Sequence, residues 1–135
     1  MPQRAYRTSL TLYRKALRIY RREYGKSHAE IAVVLNNLAA LFQATGRPSS
    51  ASTHYKAALK MKRNVLGASH PDVGVTLNNL GMLQQQLGAK QDASRCFQEA
   101  FEILRRSLGT SHPNTRAVRR NLQTSKQIAL LKVHG

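Results

Sequence analysis

Three stretches of this chain align without gaps at a step of 42 residues, and nothing else in the sequence restricts its fold so strongly. The junction Gly25-Lys26-Ser27-His28 returns as Gly67-Ala68-Ser69-His70-Pro71 and again as Gly109-Thr110-Ser111-His112-Pro113. After it come Leu35-Asn36-Asn37-Leu38-Ala39, Leu77-Asn78-Asn79-Leu80-Gly81 and a drifted third copy, Arg119-Arg120-Asn121-Leu122-Gln123. A second junction falls at Gly46 and Gly88. Beyond it, Ala51, Tyr55, Ala58 and Leu59 match Ala93, Phe97, Ala100 and Phe101, and Tyr13, Ala16 and Leu17 hold the same places earlier.

Between junctions the apolar residues recur every three or four positions, which is the period of a helix with one buried face. Each repeat is therefore two helices. The pattern predicts a helix over 4–24, hairpins of 29–45 with 49–66 and of 71–87 with 90–108, and a last helix over 113–132. One hairpin cannot bury its apolar face alone, so the repeats must stack, and residues 1–135 are expected to form a single domain. Small residues at Ala39, Gly81, Ala16, Ala58 and Ala100 alternate with large ones at Leu38, Leu80, Tyr55 and Phe97, a pattern that lets helices approach closely.

The junctions carry helix-start chemistry. Ser27-x-x-Glu30 and Ser69-x-x-Asp72 read as capping boxes, with Ser111-x-x-Asn114 a weaker form. Pro71 and Pro113 fit a first helical turn, where a missing N–H is harmless. The glycines fit the preceding helix ends, where a left-handed residue is wanted.

The order Leu38-Ala39-x-x-Phe42, Gly46, Ala51, Tyr55, Ala58-Leu59 resembles the tetratricopeptide repeat. The 42-residue form, with its Leu-Gly-x-x-His-Pro connection and Leu-Asn-Asn-Leu start, is similar to the repeats of kinesin light chain and nephrocystin-3. The resemblance covers nearly the whole chain. It implies an all-α fold of about six helices, a right-handed superhelix of antiparallel helix pairs. It also implies that the first helix of each hairpin lines a concave groove. That places Asn37, Asn79 and Asn121 at equivalent inner positions and Asn36, Asn78 and Arg120 beside them, with Gln43, Gln85 and Gln127 further along. In the family such amides clamp the backbone of an extended peptide; the alternative is that one of each pair bridges neighbouring helices. The chain opens on a second helix and closes on a first, so only two hairpins are complete. Kinesin light chain's coiled-coil segment is absent, which leaves a motor role without support.

Charge narrows the partner. The chain holds 22 Lys and Arg against 6 Asp and Glu, a formal +16, and both ends are more basic than the middle. An acidic partner is expected. The leading expectation is a non-catalytic adaptor that binds a peptide segment, acidic or carboxylate-bearing, in its groove. The alternatives are electrostatic nucleic-acid binding and a structural piece of a longer solenoid, whose end helices pack on neighbouring repeats or on another copy. Aromatic residues are only 6% of the chain and sit mostly at core positions, so stacking platforms for bases are few.

Other chemistries find no foothold. The scattered acids offer no acid–base pair, and neither a phosphate-binding glycine loop nor a Cys-Cys metal pattern occurs. His28, His70 and His112 are a full repeat apart, too far for one metal site, and are expected to pack or cap. No cofactor, metal or membrane partner is expected. The single cysteine, Cys96, reads as packing in a reducing cytoplasm. The Arg-rich start also has the composition of a mitochondrial presequence, but it matches two internal segments, as a presequence would have no reason to do.

Overall fold

The computed structural model describes residues 3–25 and 28–134, with side chains described up to 128 and at 130 and 131. These residues form six helices: α1 (Gln3–Tyr24), α2 (Ala29–Ala44), α3 (Pro48–Leu66), α4 (Pro71–Gln86), α5 (Lys90–Leu108) and α6 (Pro113–His134). No strand occurs among them. Contacts divide the chain into two compact units, Met1–Ala68 and Ser69–Gly135.

In the first unit α2 packs against both α1 and α3. A helix with neighbours on two sides needs a wide apolar arc, and α2 has one: Ile31, Ala32, Val34, Leu35, Leu38, Ala39, Leu41 and Phe42 are all buried. From α3, Ala51, Tyr55, Ala58 and Leu59 close on it. α1 contributes only Tyr6 and Leu17 to the buried set, and its seven cations between Arg4 and Arg22 are all exposed. Tyr6 is buried, and the Arg47 guanidinium lies over its ring, 4.2 Å from the ring centre.

The second unit repeats this plan with α4 and α5 and adds α6 against them. Val73, Gly74, Leu77, Leu80, Gly81 and Leu83 of α4 meet Ala93, Phe97, Ala100 and Leu104 of α5. α6 buries Thr115, Val118, Leu122 and Ser125, and the Thr115 hydroxyl donates to the Leu104 carbonyl at 3.2 Å. That bond ties the start of α6 to the last part of α5.

The helix starts differ from the capping boxes expected. The Nδ1 atoms of His28, His70 and His112 each accept a backbone N–H, from Glu30, Asp72 and Asn114 respectively, at 3.1 Å in all three cases. His28 and His70 are the N-caps of α2 and α4, so at Ser69 the serine is displaced from the role by the residue that follows it. Ser27 lies outside the described residues. The imidazole provides one acceptor aimed at one orphan donor, as a serine oxygen would, one position nearer the helix. It also fixes the proton on Nε2.

Gly67 and Gly109 close α3 and α5 with φ of 93° and 85°, backbone that side-chain-bearing residues rarely adopt. Those two angles account for the glycine that ends each second helix.

Candidate functional site

The first helices of the repeats, α2, α4 and α6, each bury one arc and leave another open. On α2 the open arc carries Val33, Asn36, Asn37, Ala40, Gln43 and Ala44. On α4 it carries Val75, Asn78, Asn79, Met82, Gln85 and Gln86, and on α6 Ala117, Arg120, Asn121, Thr124, Gln127 and Ile128. Steps of three and four residues place each set along one side of its helix.

Every residue expected from sequence to line a groove falls on these arcs. Asn37 and Arg120 are exposed, while Asn36, Gln43, Asn78, Asn79, Gln85 and Asn121 are half-buried. Two of them meet: the Asn121 amide Nδ2 donates to Asn78 Oδ1 at 2.9 Å and ties α6 to α4. Gln43 is also engaged, its Oε1 accepting the Tyr55 hydroxyl at 3.1 Å. Burial pushes the Tyr55 phenol above its ordinary pKa, since a phenolate would lose its water there. Asn36, Asn37, Asn79 and Gln85 make no side-chain hydrogen bond among the described residues. Their amides stand ready to donate and accept.

Sequence reasoning missed the apolar members of the arcs. Val33 is 48% exposed and Met82 42%, both beside the asparagines. Each sits three or four residues from an open-arc asparagine, and the burial of the residues around it shows that it lies outside the core stripe. On α2 and on α4, amides beside an exposed apolar side chain are suited to an extended peptide, whose backbone needs hydrogen bonds and whose side chains need apolar contact.

On α6, Arg116, Arg119, Arg120 and Gln123 line a shallow hollow of about 280 Å³. None of the three arginines joins an ion pair among the described residues; the ion pairs of the second unit lie on α5 and at the start of α4. Planar guanidinium groups without a partner favour carboxylates. Among the described residues no group of His, Cys, Asp and Glu is arranged to hold a metal ion. The Cys96 thiol donates to Gln84 Oε1 at 3.1 Å, which makes it a packing contact within the hairpin.

The helix-pair geometry and its repeat have a counterpart in sequence. The family model for the tetratricopeptide repeat matches residues 3–64 and 51–106. The chain belongs to the tetratricopeptide repeat family. Among solved structures, BtubC (BKLC) from P. vanneervenii, a kinesin light chain-like tetratricopeptide fold, superposes with a TM-score of 0.84 at 27% identity. The match covers 93% of this chain and 49% of BtubC, so the chain spans about half the length of that protein. No curated protein sequence matches the chain. Tetratricopeptide repeats are protein–protein interaction and scaffold modules, generally non-catalytic. No helix among the described residues is long and apolar enough to cross a membrane.

Proposed function

We propose that this tetratricopeptide chain is a non-catalytic adaptor that binds an extended, acidic or carboxylate-bearing segment of another protein on the open arcs of its first helices. The observation that carries this reading is the set of uncommitted amides on those arcs, Asn36, Asn37, Asn79 and Gln85, beside exposed Val33 and Met82. The amides hold the peptide backbone and the apolar side chains hold its side chains. Arg120, the cation on the α6 arc, selects for carboxylates, and the formal charge of +16 speeds the approach of an acidic ligand. Asn78 and Asn121 bind as a joined pair, each keeping hydrogen-bonding capacity beyond their mutual bond. One cysteine and no paired thiols fit work in a reducing cytoplasm.

The test is binding of the purified chain to a panel of acidic extended peptides and to single- and double-stranded nucleic acid, each at low and near-physiological salt. Saturable peptide binding that survives salt and is lost in Asn37→Ala plus Asn79→Ala is the expected result. Binding of nucleic acid alone, with a steep salt slope and no response to the asparagine changes, would replace the adaptor reading with an electrostatic one.

A further inference from the structure

α5 lies between two first helices, α4 and α6, and still leaves one row of its residues open. Gln91, Arg95, Gln98 and Arg105 are exposed and Glu102 is half-buried, at steps of four and three along one side of the helix. That side of a second helix stays open with both neighbours in place. Two repeats earlier the same register holds Arg7, Thr11, Arg14, Arg18 and Arg21 of α1, all exposed. One repeat on from α1, α3 has exposed Lys56 and Lys60 at the places of Arg14 and Arg18.

The chemistry of the row changes along the chain. On α5 it is mixed: Glu102 Oε2 pairs with Arg105 at 3.0 Å and with Arg106 at 3.7 Å, and Arg95 meets Asp92 at 3.8 Å. On α1 the row holds four arginines and a threonine, and none of the four joins an ion pair among the described residues. The acid of α1, Glu23, is exposed, and at 3.6 residues per turn it stands roughly 140° or more around the helix from each of those arginines. Glu30, the other acid of residues 1–68, is in the first turn of α2. Arg14 and Arg18, and Arg18 and Arg21, are therefore like charges one turn apart with no counter-charge, which destabilises a helix on its own.

We propose that this row binds the phosphate backbone of a duplex nucleic acid without reading its bases. Its composition decides among polyanions. No apolar residue stands in the row, so a membrane would attract it without receiving an inserted side chain, and binding to a bilayer draws on both. An acidic protein surface would offer exposed ion pairs, each of which contributes little. Nucleic acid differs, because every phosphate neutralised releases condensed counterions. Arg7 to Arg21 span about 21 Å of helix axis, over which a duplex presents about twelve phosphates. The row has no aromatic side chain to stack on a base, which favours a duplex over a single strand.

The test is fluorescence anisotropy of the full chain with a short mixed-sequence DNA duplex and with the RNA duplex of the same sequence. Both should bind alike, since the phosphate is common to them. The logarithm of affinity should fall against the logarithm of salt with a slope of about 4 or steeper, from four or more phosphates neutralised. Arg14→Gln plus Arg18→Gln should weaken binding about tenfold and lower that slope by about 2. Circular dichroism of that variant should remain that of the parent, because both residues are exposed. Lys90→Gln plus Lys126→Gln, an equal loss of charge outside the row, should weaken binding by about twofold at most. Asn37→Ala plus Asn79→Ala should leave duplex binding unchanged, which separates this site from the peptide-binding arcs. Failure to bind either duplex, equal weakening by the two charge variants, or retention on phosphatidylserine vesicles at a salt concentration that releases the duplex overturns the proposal.

Discussion

In the first hairpin α2 meets α3 through a tyrosine with a polar edge; in the second α4 meets α5 through a phenylalanine set on bare backbone. The positions are equivalent. Tyr55 faces the stretch of α2 that holds Ala39 and sends its hydroxyl to Gln43. Phe97 packs where α4 has Gly81, so closely that a Cβ there would lie 2.7 Å from its ring. One turn along, the first hairpin pairs rings, Phe42 with His54, and the second pairs a thiol with an amide, Cys96 with Gln84. The same backbone plan therefore accepts two different fillings. Within each, the small and large partners are matched to one another and not to the repeat consensus.

Exchanging residues between the two hairpins tests whether each filling is matched to its own partner. The largest effect is expected for Phe97→Ala. The ring is fully buried, and its loss should cost about 3–5 kcal/mol in denaturant unfolding, with residues 69–135 losing protection from hydrogen exchange first. Gly81→Ala comes next. Overpacking against a ring that cannot move costs about 1–3 kcal/mol, against a helix-propensity gain of about 1 kcal/mol, so net destabilisation is expected. A melting temperature raised by Gly81→Ala would show that the second hairpin is not close-packed at that point.

Tyr55→Phe makes the first hairpin resemble the second and should cost about 1 kcal/mol at neutral pH through the lost bond to Gln43. The same variant gives a pH test with a fixed sign. Burial raises the Tyr55 pKa in the folded state, so above roughly pH 10 the unfolded chain ionises first and binds fewer protons. The stability contributed by the neutral phenol is present below that pH and lost as pH rises through the folded pKa. The gap between parent and Tyr55→Phe should therefore narrow in denaturant titrations carried toward pH 11. A constant gap would contradict the burial assigned to this phenol.

The smallest effects concern the caps. His70→Ala should cost about 1 kcal/mol by removing the acceptor at the start of α4. His28→Ala should cost somewhat more, because His28 also stacks on Tyr24 with ring centres 4.3 Å apart. Equal losses in the two variants would mean that the stack contributes nothing.

The helices were legible because the repeat carries its own punctuation: glycine, histidine and proline recur at the same step and apolar residues mark the core between them. The serine boxes were misread because Ser-x-x-acid is the commoner signature, whereas capping was already one of the two roles expected of His28, His70 and His112. The resemblance to the tetratricopeptide repeat put Asn36, Asn37, Asn78 and Asn79 on the open side of each first helix, and they lie outside the buried set. Val33 and Met82 were not picked out because an isolated apolar residue in a helix reads as core until the burial of its neighbours is known.

Peptide binding by the open arcs of α2, α4 and α6 can be read residue by residue. Amide chemical-shift mapping of the labelled chain, titrated with an acidic extended peptide at near-physiological salt, tests it most directly. Perturbations concentrated at residues 33–44, 75–86 and 117–128 are the predicted result. Perturbations confined to α1, α3 and α5, or shifts that vanish as salt is raised, would contradict it.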